Sequence, residues 1–258
     1  MQRYFIELAY KGTNFHGWQV QPNAVSVQQC LEKALSVITR ETIALTGAGR
    51  TDTGVHARYF IAHFDSTQLN LDHPDFVYKL NSFLNKDIAV FSISKVHPEV
   101  HARFDAVSRT YQYYLNLRKD PFSTETSWHF FRQPDLVKMN EASRILFEYT
   151  DFTSFSKLHT EVKTNNCKIY CAVWTQIGSN IVFTVKADRF LRNMVRALVG
   201  TILEVGIGKI DLQQFRTIIE LKDRGEAGLS VPAHGLFLTD IEYPESVFVR
   251  KDNSPTFN

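Results

Sequence analysis

The stretch Arg3 to Tyr10 is rich in apolar residues and reads as a strand. Downstream, Val27, Leu31, Ala34, Leu35 and Ile38 recur at helical spacing. Ser26 stands where an N-cap belongs, and Gln29, three residues on, would complete a capping box. Strands are predicted around 42–46 and 57–65, on either side of a glycine-rich run. A helix from about Pro74 to Leu84 would bury Phe76, Leu80 and Phe83, and Ile88 to Ile93 reads as a closing strand.

The pattern then begins again. Thr110 to Leu115 is strand-like by its aromatic content. A helix near 135–148 would bury Leu136, Met139, Ile145 and Leu146. Strands near 168–177 and 180–187 are joined by a turn at Gly178-Ser179-Asn180. One helix over about 189–204, on which Arg189, Arg192 and Arg196 would cluster on one face as a basic strip, another capped by Asp211, and a strand from Leu236 to Tyr243 complete the series. Helices interleaved with antiparallel hairpins, twice over, predict an α+β fold of two ferredoxin-like halves. The boundary falls near residues 104–109, giving halves of 1–105 and 106–258.

Composition narrows the class. At 258 residues, 44% apolar and 22% charged, the chain has the make-up of a globular protein with ample length for a core. It has no apolar run near the length of a membrane span and no secretory pattern after Met1. Three cysteines, Cys30, Cys167 and Cys171, fit a reducing cytoplasm better than a disulfide framework. Cys167 and Cys171 without nearby partners make a poor zinc site, and the nine histidines show no metal pattern, so no metal is expected. Net charge is only +2, but its distribution is uneven. Between 157 and 196, Lys157, Lys163, Lys168, Lys186, Arg189, Arg192 and Arg196 face only Glu161 and Asp188. Such a local excess is the usual footprint of a groove that tracks phosphates.

The run Gly47-Ala48-Gly49-Arg50-Thr51-Asp52-Thr53-Gly54-Val55-His56 carries the chemistry. Its glycines allow a tight loop that presents side chains between two strands. If the loop is extended, Arg50 and Asp52 share a face and can pair, leaving an ionised carboxylate suited to nucleophilic or acid–base work. The alternative is a hairpin loop in which Asp52 caps backbone amides and Arg50 is a surface partner. The run lacks the Gly-Lys-Ser/Thr ending of a phosphate-cradling nucleotide loop.

This run closely resembles the G-R-T-D-x-G-V-H signature of the tRNA pseudouridine synthase A family. Further segments match in the family's order. They are Tyr10 to Gln19, His101-Ala102-Arg103-Phe104, Arg109-Thr110-Tyr111-Gln112-Tyr113, Asp151 to Phe155, Phe190 to Arg196, and Pro232 to Leu238. Thr53, Phe15 and Val231 depart from the commoner family residues, and none removes a proposed catalytic group.

The resemblance implies two halves like RNA-recognition folds sharing one sheet, with a cleft between them. It implies isomerisation of uridines 38, 39 and 40 of the tRNA anticodon arm, no cofactor, and a homodimer in which each tRNA touches both subunits. Asp52 is then the nucleophile, and Arg50 either aims it or fills the space left by the flipped nucleotide. Tyr111 stacks on the uracil or relays a proton, with Tyr113 left to the core. Leu236 packs beside the uracil. Arg196 reaches the carboxylate or a substrate phosphate. His101, Arg103, Phe104, Ser156, Lys157 and Arg192 line the RNA cleft. A non-catalytic RNA-binding protein is the competing reading. It would need the basic strip and aromatics, but neither Asp52 nor Tyr111.

Overall fold

Helix α1 (Val27–Thr39) begins where Ser26 Oγ accepts the Gln29 amide at 3.2 Å. Only that half of the expected capping box forms. The segment after α1 is not the predicted strand, because the helix itself takes its backbone groups. Glu32 Oε1 accepts the Leu45 amide, Ser36 Oγ accepts the Ile43 amide, and Gln28 Nε2 donates to the Leu45 carbonyl. Pairing is left to Thr46–Gly47 alone (β2).

The computed structural model describes residues 1–157 and 164–249. Around α1 and β2 the other elements follow in chain order. The first half adds β1 (Gln2–Tyr10), β3 (His56–Ser66), α2 (Pro74–Phe83) and β4 (Ile88–Val96). The second comprises β5 (Ser108–Asn116), β6 (Trp128–His129), α3 (Leu136–Ile145), β7 (Ile169–Ile177), β8 (Asn180–Ala187), α4 (Met194–Gly206), α5 (Leu212–Leu221) and β9 (Leu236–Glu242). The fold is α+β, and its strands form one mostly antiparallel sheet in the order β4-β1-β3-β9-β5-β8-β7. Short β2 pairs with β3, and β6 with β5.

Two apolar cores lie against this sheet. One gathers Tyr4, Leu8, Leu31, Leu35, Phe60, Phe64 and Leu80, and receives Leu238 and Ile241 from β9. The other gathers Tyr113, Met139, Phe155, Phe183, Leu198 and Phe215, and receives Val55 from the glycine-rich loop. Tyr111 packs against both. Each segment therefore supplies apolar groups to the core built mainly by the other half of the chain.

Helix α3 leaves the expected Leu136 only partly buried, and two further helices depart from expectation. Helix α2 buries Leu80 but leaves Phe83 about half exposed and Phe76 partly covered. Helix α4 starts at Met194 rather than near 189, because Asn193 adopts a left-handed conformation with φ of 68°. Residues 189–193 are an irregular approach, so Arg189, Arg192 and Arg196 do not share one helical face. Eleven of the thirteen residues of α4 are buried, so it is a core helix from which Arg196 emerges. By contrast, α5 is capped by Asp211 as expected, and Gln214 reciprocates to complete a capping box.

The sheet forks at its centre. β3 and β9 run parallel and pair only at His56–Phe237 and Ala57–Leu238. Farther along the same strand, His63 and Ala62 pair instead with Thr46 and Gly47 of β2. The loop from Ala48 to Val55 occupies this fork.

Candidate active site

The fork loop is held from beneath by the segment that follows β1. Tyr10 and Thr51 share a hydroxyl–hydroxyl hydrogen bond of 2.8 Å, and the Trp18 amide donates to the Thr51 carbonyl. The Gly12 amide donates to His56 Nδ1 at 2.9 Å. Gly17, with φ of 86°, lies so close that a Cβ there would sit 2.3 Å from the Thr51 carbonyl oxygen. A side chain at that position would therefore push on the residue next to Asp52. The matched segment Tyr10 to Gln19 is thus a cradle for the loop.

Asp52 is partly buried, and its two carboxylate oxygens meet different arginines. Arg192 Nε lies 3.4 Å from Oδ1, and Arg196 Nη1 lies 3.8 Å from Oδ2. Arg196 is itself fixed, its Nε donating to the Val231 carbonyl at 2.7 Å. The Arg50–Asp52 pair expected from sequence is not formed. Arg50 is exposed and makes no hydrogen bond or ion pair with any described residue. Beside it, a Cβ on Gly49 would meet nothing within 4 Å. The loop therefore aims Asp52 inward and Arg50 into open space. Its charge compensation comes from a part of the chain 140 residues away.

Tyr111 lies on β5 opposite Leu238 of β9 and Val185 of β8. Its ring meets Phe190 edge-on at 5.1 Å. Burial pushes its phenol up to about 12; the negative charge of Asp52 adds to that rise and Arg109 opposes it. Tyr113 is fully buried and donates to the Pro232 carbonyl at 2.8 Å, the core role expected of it. Leu236 is buried in the second core, opposite Tyr113 rather than Tyr111.

The remaining candidates divide into two groups. Phe104 and Arg103 are exposed, with the Arg103 guanidinium 5.7 Å from the Phe104 ring centre. Lys157 is exposed too, and its amide donates to the Arg192 carbonyl at 3.0 Å, placing it beside the site. His101 and Ser156 serve the chain itself. His101 Nδ1 accepts the Arg103 amide while its ring packs between His63 and Phe104, and the buried Ser156 hydroxyl donates to the Lys157 carbonyl. Of the basic cluster, Lys163 and its neighbour Glu161 lie outside the described residues.

Sequence reasoning missed the job of Arg192, because a helix drawn over 189–204 turned it toward a phosphate strip. It also passed over Arg58, whose guanidinium lies 5.0 Å from the rings of both Tyr114 and Phe237. Among the described residues no cluster of histidine, cysteine or carboxylate side chains could hold a metal ion.

Comparison with known proteins places the chain in a family. A family model described as tRNA pseudouridine synthase matches residues 8–105 and 149–244. The tRNA pseudouridine synthase A of Parabacteroides distasonis is 57% identical over 252 residues, covering 98% of this chain and 100% of the relative. That of Bacteroides thetaiotaomicron is 55% identical over 251 residues, covering 96% and 93%. A more distant relative of the same name, from Francisella tularensis, is 38% identical over 97% of this chain and 98% of its own. A match of this extent, running through the loop that carries Asp52, shows that the chain belongs to the tRNA pseudouridine synthase family.

Proposed function

We propose that this protein isomerises uridines 38, 39 and 40 of the tRNA anticodon arm to pseudouridine, with Asp52 as the nucleophile. The observation that carries the reading is the Asp52 carboxylate held between Arg192 and Arg196 at the fork of the sheet. In the reaction the N1–C1′ bond breaks, the uracil turns, and a C5–C1′ bond forms. The proton on C5 leaves and N1 gains one, so atoms and electrons balance without a redox or group-transfer partner. A carboxylate can hold the sugar or the base while the glycosidic bond is open.

The other residues take roles that follow from their surroundings. A target inside a stem must be turned out of the helix before Asp52 can reach it. Arg50, unpaired among the described residues and facing open space, is placed to fill the gap that the nucleotide leaves. Tyr111 offers a ring to the extruded uracil and a phenol that stays protonated near neutral pH. Arg103, Phe104 and Lys157 supply exposed cations and an aromatic face to the RNA backbone and loop. Leu236 closes the apolar side of the uracil pocket. His101 and Ser156 support this surface from beneath.

The reading extends to the whole molecule. Two cores on one sheet support a division into two ferredoxin-like halves of 1–105 and 106–258 with the cleft between them. A homodimer in which each tRNA touches both subunits, working in the cytoplasm where tRNA is found, completes the proposal. No described helix is long and apolar enough to cross a membrane. The test is to incubate unmodified tRNA transcripts with the protein and map pseudouridine by carbodiimide labelling and primer extension. Stops confined to 38, 39 and 40 support the assignment; stops elsewhere in the tRNA, or none, overturn it.

A further inference from the structure

Arg109 stands two residues before Tyr111 on β5, and the reaction scheme gives it no role. Its guanidinium is nevertheless the most heavily committed cation near the site. Nη1 donates to the carbonyls of Ala106 and Asp188, both at 2.9 Å. Nη2 donates to the Ala48 carbonyl at 3.2 Å and to that of Arg103. All four acceptors are backbone oxygens, and among the described residues no carboxylate forms an ion pair with it. Burial holds its pKa below the ordinary arginine value.

Arg109 is partly buried, and drawing a charge away from water without an ion-pair partner costs the fold. Four neutral carbonyls from separate stretches of chain hold the guanidinium instead. What these four have in common is their location. Ala48 begins the loop that carries Asp52. Arg103 and Ala106 bracket the exposed Arg103–Phe104 surface. Asp188 opens the irregular approach that ends in Arg192. Only a planar fork of donors can reach three segments arriving from different directions; the point charge of a lysine cannot.

We propose that Arg109 is a positioning residue that fixes the Asp52 loop, the Arg103–Phe104 segment and the Arg192 approach in one mutual geometry. The assignment rests on the isomerase reading above and deepens it. It links a surface that meets RNA to the carboxylate that reacts with it, through one side chain that touches neither reacting atom. Misplacement of a reacting group by an ångström can cost a hundredfold in rate, so the effect of loosening this link falls on the chemical step.

The experiment measures tritium release from C5-labelled tRNA in single turnovers at saturating protein, together with tRNA affinity and thermal melting. It compares the parent, Arg109→Lys and Arg109→Ala, the last with and without added guanidinium. We expect Arg109→Lys to melt cooperatively and bind tRNA within roughly threefold of the parent, yet react about 100-fold more slowly. Guanidinium should restore at least part of the rate to Arg109→Ala, and ammonium should not. A Lys variant that reacts at the parental rate overturns the assignment. So does parallel loss of binding and rate, or loss of cooperative melting in both variants, since either makes Arg109 a support of the fold alone. A parent that releases no tritium overturns the isomerase reading itself, which keeps the two failures apart.

Discussion

Arg192 reaches the Asp52 carboxylate at 3.4 Å from a position 140 residues further along the chain. Arg196 approaches the other oxygen at 3.8 Å, and the two cations differ in how they are held. The Arg192 side chain is 57% exposed, whereas that of Arg196 is 21% exposed and tied to the Val231 carbonyl. Solvent screens an exposed pair, and a fixed one is preorganised. Arg196→Ala should therefore lower kcat on the order of 100-fold. Arg192→Ala should lower it roughly fivefold or less. Steady-state tritium release on the two variants measures both, and a larger loss at Arg192 reverses the ranking.

Arg50 has no partner among the described residues and should be dispensable to the fold. Arg50→Ala is expected to melt within about half a kcal/mol of the parent, as surface substitutions do. If its task is to occupy the gap left by an extruded base, the loss is a few kcal/mol of flipping energy, or roughly 100-fold in single-turnover rate. A fluorescent base analogue at position 39 separates the steps. Its signal should fail to rise in the variant while overall tRNA binding persists.

Tyr111 gives a pH prediction. An ordinary tyrosine ionises near pH 10, and this one is pushed up to about 12, chiefly by burial. Because the raised value keeps the phenol neutral longer, its ionisation should not limit the rate below about pH 11. A parental alkaline limb centred near pH 10 that Tyr111→Phe abolishes would contradict this. Tyr111→Phe itself keeps the ring and loses the hydroxyl, so its residual rate separates stacking from proton relay.

His63 contributes to acid stability. Burial lowers its folded pKa to about 4, and its Nδ1 accepts the Ala102 amide at 3.1 Å, which requires a neutral nitrogen. The unfolded chain protonates near 6.5, so between 6.5 and 4 it binds a proton that the folded chain refuses. Stability is complete above 6.5 and falls as pH drops toward 4. The loss amounts to about 2 kcal/mol by pH 5. Urea melts at pH 7.5 and 5.0 should show a larger drop for the parent than for His63→Gln.

Much of this was legible in the sequence, because the signals were local. Asp211 caps α5 as its position implied, and the β7–β8 hairpin fell where its turn residues placed it. Motif context singled out Asp52 and Tyr111, and the negative charge of Asp52 contributes to the raised Tyr111 phenol. The failures were all tertiary. Thr42–Leu45 had strand composition, yet side chains of α1 captured its amides. Arg50 and Asp52 were near in sequence and diverge in space. Arg196 was expected to reach the carboxylate and lies 3.8 Å from it, whereas Arg192 was drawn on a helical face that one left-handed residue, Asn193, does not allow to form. Arg109 was visible only as the first letter of a motif. No periodicity reports which carbonyls a partly buried guanidinium will find.

The most direct test of the account compares tritium release from C5-labelled uridine tRNA by the parent and by Asp52→Ala. The C5 proton is lost only when C5 becomes the glycosidic carbon. Release by the parent and none by the variant, with tRNA binding retained in both, is the predicted result. Release by both proteins would leave the activity in place but contradict the claim that Asp52 performs it.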